Sequence, residues 1–268
     1  MTAKYSQRFY EEDIITAGRS AAEIVPLIIK LLPIKSVVDV GCGAGAWLAE
    51  FKKHGVTETV GIDGTHAHTE WLDQTEFIVH DLTKRIALDR TFDLSMCLEV
   101  AEHLPLESAD TLVTSLCSLS KQVIFSAAVP HQGGLHHINE QWPEYWEQKF
   151  RKNGYTVIDC FRETLWDNNE VAYWYAQNLL LFVHESALTQ SSELSALAKA
   201  TNRRCLSRIH PKTFLKSRER LLNPAYIISR LIWNSCPKSI RSLLIKRYEK
   251  QIWQQVNTGY GKPEEASN

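Results

Sequence analysis

One stretch restricts this chain more than any other: VVDVGCGAGAW at residues 37–47. A short β-branched run, SVVDV at 36–40, passes directly into a turn containing Gly41, Gly43 and Gly45, and AWLAEFKKHG then carries a helical pattern that ends at Gly55. A buried strand that must turn sharply into a helix needs glycines, because the backbone there adopts conformations that a Cβ disfavours and a ligand can approach it closely. The remainder repeats the cycle. TVGID (59–63), EFIVHD (76–81), FDLSMCLEV (92–100) and QVIFSAAV (122–129) read as further strands, with helices predicted over Leu106–Leu119 and PEYWEQKFRKNGY. TVIDCFRE and YAQNLLLFVH are expected to complete the sheet. This alternation predicts a Rossmann-like α/β fold: an open, mainly parallel seven-stranded sheet with helices on both faces. An amphipathic helix from Ser20 to Leu32 precedes it. Three regions are expected, an N-terminal helical lid (1–35), a ligand-binding α/β domain (36–185) and a basic helical C-terminal extension (186–268).

The charge distribution supports that last boundary. Residues 1–200 carry 16 Lys plus Arg against 27 Asp plus Glu, whereas 201–250 carry 13 against 2, so a net charge of −1 conceals an acidic body and a basic tail. Cys42, Cys97, Cys117, Cys160, Cys205 and Cys236 contain no C-x-x-C pair, which excludes the usual zinc-cluster and redox motifs. The N-terminus does not read as a secretory signal, and no apolar run reaches the roughly 20 residues of a spanning helix. A cytoplasmic location is expected, with peripheral contact of the inner membrane face through residues 203–250 as an alternative.

Acidic residues mark the strand ends. Asp39 lies beside the glycine turn, Asp63 ends the second strand 22 residues after Gly41, and Asp81 ends the third. The third glycine comes one position early for the G-x-G-x-x-G dinucleotide fingerprint. A carboxylate at 39 would repel a pyrophosphate but attract the ammonium and sulfonium of S-adenosylmethionine. DVGCGAGAW, GID, HDLT and FDLSMCLEVAEHLP, in this order and spacing, resemble the motif series of class I S-adenosylmethionine-dependent methyltransferases over about residues 20–184. The resemblance implies that Gly41 and Gly43 lie against the methionine portion, that Asp63 holds the ribose, that Asp81 and Leu82 frame the adenine, and that Leu98, Glu99 and Val100 line the cleft.

After the fifth strand comes PHQGGLHHINEQWPEYW, which gathers histidines, Glu140 and aromatic side chains where such a sheet opens its ligand crevice. It resembles an H-x-N-E-Q-W-P loop of bacterial methyltransferases associated with secondary metabolites and glycans. On that resemblance His137 is the favoured base, His136 the second choice and Glu140 an orienting group. The competing reading is that His137 and Asn139 only hold the loop and cap the next helix. No metal is assigned, because the loop's histidines and Glu140 are suitable ligand types without a diagnostic spacing. Glu99, Glu102 and His103 form a second polar cluster just after the fourth strand, with the first turn of a helix as the alternative place for Glu102 and His103. Tyr5, Phe9, Tyr10 and Arg19 are candidate lid residues, with Arg19 placed to meet the methionine carboxylate.

The expected activity is O- or N-methylation of a small bacterial secondary metabolite, with a glycan or lipid-linked sugar precursor as the alternative acceptor. A non-catalytic cofactor-binding protein acting through its basic tail is the reading of another class. Nucleic acid is disfavoured as partner, since the acidic body would repel a phosphate backbone.

Overall fold

The computed structural model describes residues 7–64 and 77–224, a few isolated positions beyond, and side chains from residue 14 onward. Helix α1 (Gln7–Leu31) leads into β1 (Ser36–Val40), α2 (Ala46–Lys53), β2 (Glu58–Asp63), β3 (Phe77–Val79) and β4 (Leu94–Leu98). Two 3-10 turns, Ala101–His103 and Leu106–Ser108, precede α3 (Ala109–Leu119) and β5 (Gln122–Ser126). Then follow α4 (Pro143–Lys152), β6 (Tyr155–Ile158), α5 (Arg162–Leu165), α6 (Tyr173–Asn178) and β7 (Leu180–His184). Short α7 (Glu185–Leu188), α8 (Ser192–Ala200) and α9 (Pro211–Leu222) close the described part.

The seven strands form one sheet in the order β3-β2-β1-β4-β5-β7-β6. Every neighbouring pair is parallel except those made by β7, which runs antiparallel to both β5 and β6. Strand alternation sorts the core. Val37, Met96, Ile124 and Leu181 point to the face covered by α1, α2 and α6, where Ile24, Ile28, Leu48 and Phe51 are fully buried. Val38, Cys97, Phe125 and Phe182 point to the other face, covered by α3 and α4. Each such buried side chain stabilises the fold by about 1.5–3 kcal/mol relative to exposure. β1 is central and apolar on both faces, as a parallel strand sandwiched between helix layers must be. Asp39 is the exception within it, held between Gly61 of β2 and Met96 of β4.

The open-sheet expectation is met, with differences at the strand ends. YAQN is the end of α6, and only Leu180–His184 is strand. Gln177 and Asn178 use their buried side-chain amides to reach Gln132, which a helical turn allows. Likewise β6 stops at Ile158, and the fully buried Arg162 opens α5 so that its guanidinium meets Asp159 three residues back at 2.6 and 2.8 Å.

The first part of the basic region lies against the acidic body. Arg203 pairs with Glu147, Arg208 approaches Asp159 at 3.4 Å, and Ser207 donates to Glu144. Leu206 is wholly buried between these contacts. Among the described residues no helix is long and apolar enough to cross a membrane. All six cysteines are free, and burial pushes the Cys42 and Cys97 thiols well above their ordinary range, which fits packing rather than reactivity.

Candidate active site

The carboxyl ends of β1, β2 and β4 converge on the glycine turn. Gly41, Gly43 and Gly45 all have positive φ, at 83°, 51° and 85°. Two of these positions need glycine for different reasons. A Cβ on Gly41 would stand 2.3 Å from Val100 Cγ2, so the turn is pressed against the segment after β4; a Cβ on Gly43 would meet nothing within 4 Å. Gly43 therefore borders open space at the lip of the sheet, the cradle a bound ligand would use.

Asp63 organises that lip. Its carboxylate accepts the Gly43 N–H at 2.8 Å on one oxygen and its neighbour Gly64 N–H at 2.6 Å on the other. Asp39 is 2% exposed, and burial, reinforced by the nearby Asp63 charge, raises its pKa from 3.8 to about 7. Two acids crowded at the end of two buried strands are unfavourable for the empty protein and favourable for a cation. Asp81 stands next along this edge, because the His80 N–H bonds the Asp63 carbonyl at 2.8 Å. It is exposed and accepts both the N–H and hydroxyl of Thr83, while Leu82 is buried. Leu98 is buried at the end of β4. The residues expected to touch the cofactor thus lie together along one edge, and the donor set fits the sulfonium, ammonium and ribose of S-adenosylmethionine.

Arg19 does not face this edge with a free guanidinium: it pairs with Glu170 at 2.7 Å, both half exposed. Tyr5 lies outside the described residues, as do the side chains of Phe9 and Tyr10.

Beside the glycine turn the chain builds a second, denser polar cluster. Among the described residues three with side chains hold positive φ, Glu99 (54°), His131 (69°) and His136 (64°), and all three belong to it. Backbone strain of this kind persists where surrounding contacts over-determine it. The 3-10 turn carrying Glu102 and His103 is stitched to the histidine loop, since the Glu102 carbonyl accepts the N–H groups of Ile138 and Asn139 at 2.9 and 3.0 Å. Asn139 Nδ2 adds a bond to the Ala101 carbonyl at 3.3 Å. As a result His137 and His103 meet edge to face, ring centroids 4.8 Å apart.

Glu140 braces His137. Its Oε1 lies 3.0 Å from His137 Nδ1 and also accepts the Gly133 N–H, while Oε2 accepts the His131 N–H. Burial raises the Glu140 pKa, but the His137 and backbone hydrogen bonds outweigh it and hold the carboxylate below its ordinary range. An ionised Glu140 fixes the Nδ1–H form of His137 and leaves the Nε2 lone pair available. Gly134 makes room for this ring, because a Cβ there would stand 2.1 Å from Nε2. Burial, with His137 second, lowers the His136 pKa.

Glu99 and Glu102 lie beneath. Gln132 Nε2 and Asn178 Nδ2 donate to the two oxygens of Glu99 at 3.0 and 3.1 Å. Gln132 Oε1 in turn accepts from Gln177 and Asn178, and Gln177 Oε1 accepts the His210 N–H. Burial raises the pKa of both glutamates, and the Glu99 charge raises that of Glu102 further. Sequence reasoning missed Gln132, Gln177 and Asn178. Only the polar interruption of apolar runs at QN before LLLFV could have signalled the last two. A separate cavity of about 320 Å³ lies between residues 166–173 and the start of α9, lined in part by Trp166, Tyr173, His210 and Lys212, and shares no residue with the histidine loop.

The antiparallel β7 between β5 and β6, the glycine turn and the acids ending β1 and β2 together define an S-adenosylmethionine-dependent methyltransferase of the Rossmann-like class. Residues 10–168, more than half of the chain, match the family model described as a methyltransferase domain, and the chain belongs to that family. Among solved structures it is similar to DesVI of Streptomyces venezuelae, with 15% identity, a TM-score of 0.50, 63% of this chain covered and 92% of that one. Magnesium protoporphyrin IX methyltransferase of Synechocystis PCC 6803 gives 18% identity, a TM-score of 0.47 and coverage of 66% and 84%. CalS10, an amino pentose methyltransferase of Micromonospora echinaspora, gives 15%, 0.48, 63% and 91%. At these identities the likeness is one of fold. No curated protein matches the chain in sequence.

Proposed function

We propose that this methyltransferase acts on an oxygen or nitrogen of a small-molecule acceptor, and that His137, oriented by Glu140, activates that acceptor for loss of its proton. The observation that carries the reading is the 3.0 Å Glu140–His137 pair in the loop that follows β5. The loop is stitched to the turn whose Val100 abuts Gly41, so the pair stands next to the cofactor edge. S-adenosylmethionine supplies an electrophilic methyl group on sulfur. The chain's task is to align an acceptor lone pair with the S–CH3 bond and to handle the acceptor's proton. In this reading Gly41, Gly43 and Gly45 admit the methionine portion, Asp39 and Asp63 face its positive charge and ribose, Asp81 with Leu82 borders the adenine, Leu98 lines the cleft, and His136 stands in reserve to His137. The acceptor class we favour is a bacterial secondary metabolite.

A glycan or lipid-linked precursor is the second reading, and α9 favours it. Phe214, Leu215, Leu221 and Leu222 are 41–61% exposed on a helix that also carries Lys212, Lys216 and Arg218. Arg220 of the same helix donates to the Gln132 carbonyl at 3.4 Å, so a surface that suits anionic lipid is tied to the histidine loop.

The test begins with calorimetric titration by S-adenosylmethionine and S-adenosylhomocysteine, with Asp63→Ala as control, and continues with an acceptor screen read by S-adenosylhomocysteine release. His137→Ala is expected to lower kcat roughly 100-fold or more while leaving cofactor affinity unchanged. An unchanged kcat would remove His137 from the mechanism. Flotation with anionic vesicles decides between the two acceptor readings, α9-dependent binding supporting the second.

A further inference from the structure

Glu102 is fully buried, and neither of its carboxylate oxygens makes a well-formed hydrogen bond, although the N–H groups of Glu102 and Ala128 and the Glu99 carboxyl lie near it. A carboxylate buried with so few donors costs several kcal/mol unless a cation faces it, and without one the group keeps its proton. Among the described residues no Lys or Arg pairs with it, and its acidic neighbour is the Glu99 carboxyl. What does face it is imidazole nitrogen: ligand atoms of Glu102, His103 and His137 all lie within 4.8 Å of one another. His137 is also braced by Glu140 through Nδ1, the carboxylate–histidine arrangement that orients metal-binding imidazoles. These observations come from different residues, and both point to a ligand.

We infer that Glu102, His103 and His137 form a binding site for a divalent first-row transition-metal ion. Two imidazoles and a carboxylate favour Mn2+, Fe2+, Co2+ or Zn2+ over Mg2+ and Ca2+, which prefer all-oxygen sites. Metal–ligand bonds of about 2.1 Å bring neighbouring ligand atoms to roughly 3 Å, so the ion draws the present triangle inward. Glu99, fixed by Gln132 and Asn178, supplies further negative charge behind it. The three ligands come from two segments, and the bonds from Ile138 and Asn139 to the Glu102 carbonyl hold those segments in register. With three protein ligands the ion keeps open positions, the mark of a catalytic rather than a structural site.

This rests on the reading of His137 as the acceptor-activating residue and states the means. An acceptor hydroxyl held on the ion loses its proton to solvent more readily, as metal-bound water does. Its oxygen lone pair then forms the O–CH3 bond as the S–CH3 bond breaks, and the bonding pair stays on sulfur, which becomes a neutral thioether.

The experiment uses the full chain, freed of any polyhistidine tag, stripped with chelator and titrated with Co2+ while visible absorption is recorded. We expect one equivalent to produce ligand-field bands that Mn2+ or Zn2+ displaces and Mg2+ at equal concentration does not. Glu102→Gln, which preserves shape, and His103→Ala should each weaken Co2+ binding at least tenfold, with far-UV circular dichroism confirming that they fold. Absence of Co2+ bands in the wild-type protein, or bands unchanged in both variants, overturns the inference. The cofactor titration on the same samples separates the two proposals. Intact S-adenosylmethionine binding without Co2+ binding defeats the metal site alone, whereas Co2+ binding with a fully active His137→Ala defeats the role of His137 in activating the acceptor.

Discussion

Changing pH across the range where Asp39 titrates should change cofactor affinity by an amount the structure sets. Burial and Asp63 place the empty protein's Asp39 near pKa 7. Bound sulfonium and ammonium charges return it toward the ordinary carboxylate range, so binding expels a proton wherever Asp39 is still protonated. For such a group affinity scales as the ionised fraction, and between pH 7 and pH 5.5 it should fall ~15-fold, about 1.6 kcal/mol. The cofactor's own amine, with an α-amino pKa of about 8, stays charged over that interval. Calorimetry in two buffers of different ionisation enthalpy should register close to one proton released per cofactor at pH 5.5 and about half of one at pH 7. Asp39→Asn should flatten the profile and abolish the release. Stability moves in the opposite sense. The native state holds the Asp39 proton to a higher pH than the unfolded chain does, so this group's contribution is intact below pH 4 and is lost as pH rises to 7. A rise from 3.8 to about 7 corresponds to roughly 4 kcal/mol at most, and Asp39→Asn should therefore melt higher than wild type at pH 8 while binding cofactor more weakly. Affinity that is flat from pH 5.5 to 7, with no buffer-dependent heat, would show that Asp39 does not face the cofactor's charge.

The two glycines should separate experimentally: Gly41→Ala collides with Val100 and should lower Tm by several degrees, whereas Gly43→Ala should fold yet bind S-adenosylmethionine at least tenfold more weakly by calorimetry. Asp63→Asn leaves one of its two N–H acceptors mismatched and should weaken cofactor binding by about 1–3 kcal/mol in the same assay, with a near-unchanged circular dichroism spectrum. Arg162→Met leaves the buried Asp159 carboxylate only the Arg208 contact at 3.4 Å and takes the donor from the Gln177 and Leu206 carbonyls, and should cost about 3–5 kcal/mol in urea denaturation; a loss below about 1 kcal/mol would mean the pair is solvated. Glu140→Gln keeps the size of the brace but removes its charge, and should lower kcat with little change in cofactor Kd once an acceptor is known.

The sheet could be read from the chain because β1, β2 and β4 are buried on both faces, so each appears as an apolar run that meets a glycine or an acid at its end. β1 was legible to the residue for this reason. β7 was legible only in its apolar half, because Gln177 and Asn178 look like the start of a strand until Gln132, 45 and 46 residues away, gives their amides a partner. Arg162 is the same case in stronger form. A charged residue between β6 and β7 reads as surface, yet among the described residues it is the largest fully buried side chain, secured by Asp159 and by the carbonyls of Gln177 and Leu206.

The acids and glycines proposed to hold the cofactor were legible as neighbours because they are close in sequence to strand ends and their order is dictated by the topology. The cluster around His137 was not, because its unit is a contact between segments. His137 was visible as a loop histidine and Glu102 as an acid in a turn, and neither spacing alone indicates a shared site. Two backbone hydrogen bonds from Ile138 and Asn139 to the Glu102 carbonyl join them, and backbone groups carry no residue signature. Glu99, His131 and His136 hold positive φ beside that junction, and of the three only Glu99 is a residue type with no particular tolerance of the left-handed region. Glu102 and His103 meet His137 through that junction, so the triad proposed to hold a metal ion has no recognisable spacing in the sequence.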